Sequence, residues 1–176
     1  GKGRRALYIA GSNESERDAA DLLRRAFDTG HNIDLRVRLH PSGNTQWFRS
    51  LFEWLGPAQI SNPSTTSLSG DLVGADVIVT IGSTVSFDAM TAGIPVVWLT
   101  PPSVHQELLH HPIRNQQLAL LDASNEADLR KILTRLFDDN AYYETVVKDQ
   151  WQRIASAGLN KPYFSIVKSV IEELIA

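Results

Sequence analysis

The chain alternates short, continuously apolar runs with amphipathic stretches, and this pattern limits its fold more than any other feature. Ala6-Leu7-Tyr8-Ile9-Ala10, Asp76-Val77-Ile78-Val79-Thr80-Ile81 and Val96-Val97-Trp98-Leu99 are too short for helices. They lack the polar alternation of a half-exposed strand, so they read as strands buried on both faces. Ile33 to Leu39 differs: Ile33, Leu35, Val37 and Leu39 face one way, and Asp34, Arg36 and Arg38 the other. Minor strands are expected at Ala58 to Ser61 and Leu118 to Leu121.

Helical patterns fill the intervals. Glu14 to Thr29 carries the stripe Ala19, Leu22, Leu23 and Ala26, with Asn13 as expected N-cap and Gly30 as stop. Shorter helices are expected at Trp47 to Leu55, Leu68 to Ala75 and Val85 to Ala92, the last ended by Gly93 and Pro95. Asn62 to Ser67 is rich in Ser, Thr and Pro and reads as loop. Helices are expected again at Glu126 to Phe137, Tyr142 to Ala157 and Tyr163 to Ile175, with Asp138-Asp139-Asn140 as a turn. Trp47, Trp54 and Trp151 fall at helical spacing and are expected in the core or an interface. Strands alternating with helices pair in parallel through right-handed crossovers. The expected fold is a Rossmann-like α/β sandwich, a parallel sheet covered by helices, with a helical C-terminal tail. The 176 residues suit one such domain.

Composition removes several functions. There is no cysteine, which excludes a disulfide framework, thiolate metal sites and a Cys nucleophile. A net charge of -3 argues against a general grip on nucleic acid, which needs clustered Lys and Arg. No run of about 18 apolar residues is present. A membrane association would come through the rest of a longer protein or from surface docking. The opening Gly1-Lys2-Gly3, with Met90 the single methionine, reads as a tag remnant or an excised piece of a longer protein.

In an open parallel sheet, ligands bind beyond the carboxyl ends of the strands. Those ends carry Gly11-Ser12-Asn13, His40-Pro41-Ser42, Gly82-Ser83-Thr84 and Thr100-Pro101-Pro102. The most informative segment is ADVIVTIGSTVSFDAMTAGIPVV, Ala75 to Val97, where a buried strand runs into a glycine, two hydroxyls and a helix. A helix start favours anions, so Gly82, Ser83 and Thr84 are candidates for a phosphate. Asp88, about one turn further on, is a candidate for ribose hydroxyls. The alternative is that Ser83 or Thr84 merely caps the helix. His40, held by Pro41, either stabilises a departing nucleotide's phosphate or is satisfied by backbone. Arg36 and Arg38 are expected to pair with acids on a neighbouring helix rather than a ligand. His105, His110 and His111, with Glu107, match no standard zinc spacing, so no metal is expected. There is no Walker glycine-lysine pattern and no GxGxxG fingerprint.

The segment Ala75 to Val97 resembles the C-terminal, nucleotide-sugar-binding lobe of GT-B-fold glycosyltransferases. His40-Pro41 together with Ser83-Thr84 is similar to the His-Pro and Ser/Thr motifs of bacterial capsule and surface-polysaccharide transferases, among them sialyl-, polysialyl- and Kdo-transferases and the related CDP-glycerol polymerases. The resemblance covers Ala6 to Leu121. It implies a nucleotide-sugar donor, CMP-, CDP- or UDP-linked, as substrate, and no tightly bound cofactor. Gly11, Ser12, Asn13, His40, Pro41, Gly82, Ser83, Thr84 and Asp88 would then form the donor site, with His40 stabilising the leaving phosphate. The resemblance also implies a partner: an N-terminal, acceptor-binding lobe that supplies the catalytic base. The acidic-glycine motif of that base is not found in this sequence. The isolated domain is therefore expected to bind a nucleotide and transfer no sugar. The expected setting is the cytoplasm, with the inner face of the membrane as the alternative. Two other readings share these residues: the C-terminal half of a UDP-sugar 2-epimerase, and a non-catalytic binding or scaffold module. A receiver domain ranks low, because no acidic pair ends the first strand.

Overall fold

The computed structural model describes residues 4–12, 15–28, 33–41, 45–102 and 121–159. Its strands are β1 (Arg5–Ile9), β2 (Asp34–Arg38), β3 (Ile60–Ser61), β4 (Val77–Thr80), β5 (Val96–Leu99) and β6 (Leu121–Ala123). Its helices are α1 (Glu16–Phe27), α2 (Thr45–Leu51), α3 (Leu68–Val73), α4 (Val85–Thr91), α5 (Glu126–Asp138) and α6 (Asn140–Ser156). A 3-10 turn, Pro57–Gln59, leads into β3. All pairings are parallel, in the order β3-β2-β1-β4-β5-β6. The expected Rossmann-like α/β sheet is thus present, and α5 and α6 supply its C-terminal helices. The helix expected at Tyr163 to Ile175 lies outside the described residues.

The register puts Ser61, Arg38, Ile9, Thr80, Trp98 and Asp122 in one row across the sheet. Every residue of β4 and β5 is buried, as their unbroken apolar runs require. Trp98, Tyr8, Ile78 and Leu99 are fully enclosed and anchor the core. Each such side chain contributes about 1.5–3 kcal/mol by leaving water. In α1 the stripe of Ala19, Leu22, Leu23 and Ala26 is buried against this core.

Paired residues of parallel strands point to the same face. Tyr8 meets Glu16 of α1, whereas Arg38 meets Asp71 of α3, so the two helices cover opposite faces. Right-handed crossovers require this, because α1 leads outward toward β2 while α3 returns from β3 to the central β4. From α6, the fully buried Gln150 clamps β5: its Oε1 accepts from the Val96 N–H and its Nε2 donates to the Val96 carbonyl, both at 2.9 Å.

Several boundaries differ from the sequence pattern. α1 begins at Glu16 with Ser15 in the cap position; Asn13 and Gly30 lie outside the described residues. α2 stops at Leu51, because the bonds Phe52 N–H to Arg49 O (3.0 Å) and Leu55 N–H to Phe52 O (2.9 Å) tighten the chain into successive turns. β6 runs on past the expected end, over Leu121–Ala123, and residues 118–120 lie outside the described residues. α4 ends as its sequence indicates. Gly93 takes φ of 75°, its N–H bonds Met90 O, and the Ile94 N–H bonds Ala89 O, which completes a Schellman motif.

Trp47 and Trp54 are half-buried against the core, but Trp151 is 46% exposed and is not a core residue. Asp139 caps α6 by accepting from the Tyr142 N–H at 2.9 Å, so Asp138-Asp139-Asn140 is the expected helix-end turn. Among the described residues, no helix is long and apolar enough to cross a membrane.

Candidate functional site

The chain leaves β1 toward β2 and leaves β4 toward β5, in opposite directions across the sheet. The carboxyl ends of β1 and β4 therefore flank the topological switch point, where the loops part and a crevice opens. Ile9, Arg38 and Thr80 share one row, so Gly11, His40 and Gly82 each stand two residues beyond it. With strands about 4.8 Å apart, the loops after β2 and β4 are about 10 Å apart across the loop after β1. One nucleotide can bridge that span. Asn13 and Ser42 lie outside the described residues.

Thr80 builds the turn after β4. Its buried hydroxyl donates to the Ile9 carbonyl at 3.0 Å, tying β4 to β1 at the crevice floor. The same oxygen accepts from the N–H groups of Gly82 (3.4 Å) and Ser83 (3.3 Å). Those two amides are therefore turned down toward the sheet. The Ser83 hydroxyl oxygen accepts from the Val85 N–H at 3.3 Å, which leaves its proton for another acceptor. Thr84 occupies the cap position of α4 with no side-chain cap bond, and it is exposed. Donors left at this turn are thus the hydroxyls of Ser83 and Thr84 and the Thr84 N–H. Asp88 lies four residues, about 6 Å, along α4 from Thr84. Its side chain stands at the surface, and partial burial of the carboxylate raises its pKa above the usual 3.8.

The loop after β1 is supported from below by Glu16. This residue is 1% exposed although it opens a helix. Its Oε1 accepts from the Gly11 N–H at 2.6 Å, and its Oε2 accepts from the Tyr8 hydroxyl at 2.7 Å. Burial pushes its carboxyl up to about 7, and the two hydrogen bonds only partly offset this. Tyr8 is raised well above its ordinary value by burial and by the adjacent carboxylate. Glu16 and Thr80 escaped the sequence analysis. The apolar run marks Thr80 as buried but not as the anchor of the turn, and a helix-start glutamate carries no signal of burial.

His40 is half-buried and Pro41 exposed, both at the crevice level beyond β2. Arg38 points to the opposite face, 8% exposed, and forms an ion pair with Asp71 of α3. Asp71 also accepts from the Ser61 hydroxyl at 2.6 Å, and Arg38 donates to the Thr66 carbonyl at 3.2 Å. This is the helix pairing expected for Arg38. Arg36 instead pairs with Asp34 of its own strand, at 3.3 Å. Beside this network a groove of about 300 Å³ opens among Arg5, Arg36, Gln59, Thr66 and Asp71, away from the switch point. His105, Glu107, His110 and His111 lie outside the described residues, among which no group of three metal-ligating side chains occurs.

No family model matches the sequence, and no curated protein matches it. Solved structures are similar to it at low identity. The C-terminal CMP-Kdo binding domain of WaaA from Acinetobacter baumannii matches with a TM-score of 0.57 and 12% identity, over 87% of this chain and 90% of that one. UDP-GlcNAc 2-epimerase from Neisseria meningitidis, bound to UDP-GlcNAc, gives a TM-score of 0.58 and 13% identity over 97% of this chain and 45% of that one. CalG4, the calicheamicin glycosyltransferase, gives 0.54 and 16% over 99% and 45%. The chain therefore spans less than half the length of the epimerase and of CalG4, and most of the isolated WaaA domain. What this likeness establishes is the fold: a Rossmann-like α/β lobe of the kind found in GT-B glycosyltransferases and UDP-GlcNAc 2-epimerases.

Proposed function

We propose that this chain is the donor-binding lobe of a two-lobed glycosyltransferase in surface-polysaccharide or glycan synthesis. The observation that carries this reading is the common level of Gly11, His40 and Gly82 around the switch point. His40 and the hydroxyls of Ser83 and Thr84 hold the donor phosphate, and Asp88 accepts from the ribose. Gly11 and Ser12 form the wall after β1, and Pro41 fixes the backbone at His40. The donor is a CMP-, CDP- or UDP-linked sugar, and the catalytic base comes from a second, acceptor-binding lobe. The likeness to a domain described as CMP-Kdo binding supports this donor class.

Calorimetry with CMP, CDP and UDP tests the reading directly. The chain alone binds at least one of them weakly and transfers no sugar. Ser83→Ala and His40→Ala each weaken binding by about 10- to 100-fold, the loss expected for one hydrogen bond to a charged group. Absence of binding at millimolar concentration refutes the proposal.

A second reading is the C-terminal half of a UDP-sugar 2-epimerase, favoured by the equally good fit to an epimerase bound to UDP-GlcNAc. The His40-Pro41 pair favours the transferase. Product analysis of a full-length parent separates them: sugar transfer to an acceptor supports the first reading, and epimerised nucleotide sugar the second.

A further inference from the structure

Acids in the first turn of a helix are usually solvated, yet Glu16 is 1% exposed. Neither carboxylate oxygen is idle: one accepts from Gly11 at 2.6 Å and the other from Tyr8 at 2.7 Å. Gly11 rests directly on this carboxylate, since a Cβ there would stand 2.7 Å from Oε1. Gly11 is also a wall of the switch-point crevice, so a buried titratable group lies just beneath the candidate ligand site.

No described ion pair compensates Glu16. From β1, Tyr8 is its titratable partner. From β2, Arg38 is turned to Asp71 on the other face, and His40 stands at the level of Gly11. On α1 itself Arg17 is exposed and Asp18 half-buried, and on α2 Arg49 is exposed. Of the charged groups of α5, Glu126 and Arg130 engage Arg25 and the Ala26 carbonyl at the far end of α1.

We propose that Glu16 is the positioning residue of this crevice: it acts through Gly11 to fix the loop after β1, and it couples binding of an anionic nucleotide there to uptake of a proton on its own carboxyl. The inference rests on the nucleotide-binding reading above. An anion settling over Gly11 makes a second negative charge beneath it costlier, because the intervening protein screens less than water. The carboxyl responds by taking a proton from solvent. Its Oε1 still accepts from the Gly11 N–H, and its new O–H donates to the Tyr8 oxygen. Affinity is therefore high where Glu16 is neutral and falls as pH rises through the neutral range. Each pH unit by which the ligand raises Glu16 strengthens low-pH binding tenfold.

The test is calorimetry with UDP-N-acetylglucosamine and CDP-glycerol, whose diester phosphates do not titrate between about pH 5.5 and 8.5. The wild-type chain should bind about tenfold more tightly at the acid end, with a heat near neutrality that varies with the buffer's ionisation enthalpy. Glu16→Gln, which keeps the acceptor for Gly11, should lose this tenfold dependence on pH and the matching share of the buffer-dependent heat. Tyr8→Phe removes a bond that favours the charged form, so its pH profile should shift upward. A Glu16→Gln profile with the wild-type slope, or an unmoved Tyr8→Phe midpoint, overturns the inference while leaving the crevice reading intact. No binding of either nucleotide by any of these proteins overturns the inference, and absence of CMP binding as well overturns the crevice reading with it.

Discussion

Glu16 makes the stability of this chain depend on pH in an unusual direction. Its carboxyl rises from 4.5 to about 7 on folding. At 1.36 kcal/mol per pH unit, that difference is worth about 3 kcal/mol. At 1% exposure there is little solvent to screen it. The sign follows from which state holds the proton. Between pH 4.5 and about 7 the folded chain keeps a proton that the unfolded chain has lost. The contribution is fully present below pH 4.5 and is lost as pH rises through about 7. Glu16→Gln mimics the neutral form throughout. It should match wild type near pH 4.5 and exceed it by about 3 kcal/mol at pH 8, measured as urea unfolding free energies from tryptophan fluorescence. The difference between the two proteins isolates Glu16 from other titrating groups, such as Asp88. A difference that stays constant with pH refutes the reasoning, because it would mean that Glu16 is charged in the fold at all these pH values.

Two further predictions concern the frame of the crevice. Thr80→Val keeps the shape but strands the Ile9 carbonyl and the amides of Gly82 and Ser83, so unfolding free energy should fall by about 1–3 kcal/mol, and Thr80→Ser should recover most of it. Arg38→Met and Asp71→Asn should each cost about 3–5 kcal/mol, while the double variant costs less than their sum; a double-mutant cycle with no coupling would show that the pair is solvated.

Much of the frame was legible because its signals are local. The apolar run Val77 to Thr80 allows only a buried strand, and Gly93 followed by Pro95 allows only a helix end. The four strand-end loops could be named because α/β connections place polar turns there. The common level of Gly11, His40 and Gly82 is a property of the register, which no single segment encodes. Arg38 and Asp71 are 33 residues apart, so their pairing appears only when α3 crosses back over β2. Glu16 reads as a solvated helix-start acid until Tyr8 and Gly11 close over it. Thr80 reads as one more β-branched strand residue, and its use as the turn's anchor depends on where Gly82 and Ser83 aim their amides. What escaped the sequence is thus the set of contacts between elements that shape the crevice.

The central claim is that a nucleotide phosphate sits at the switch point between β1 and β4. Backbone NMR of the chain titrated with CMP, CDP and UDP tests it residue by residue. The account predicts saturable shifts at Gly11, Ser12, His40, Gly82, Ser83, Thr84 and Asp88, lost in Ser83→Ala. No saturable shift at millimolar nucleotide, or shifts centred on the groove beside Arg36 and Asp71, would contradict it.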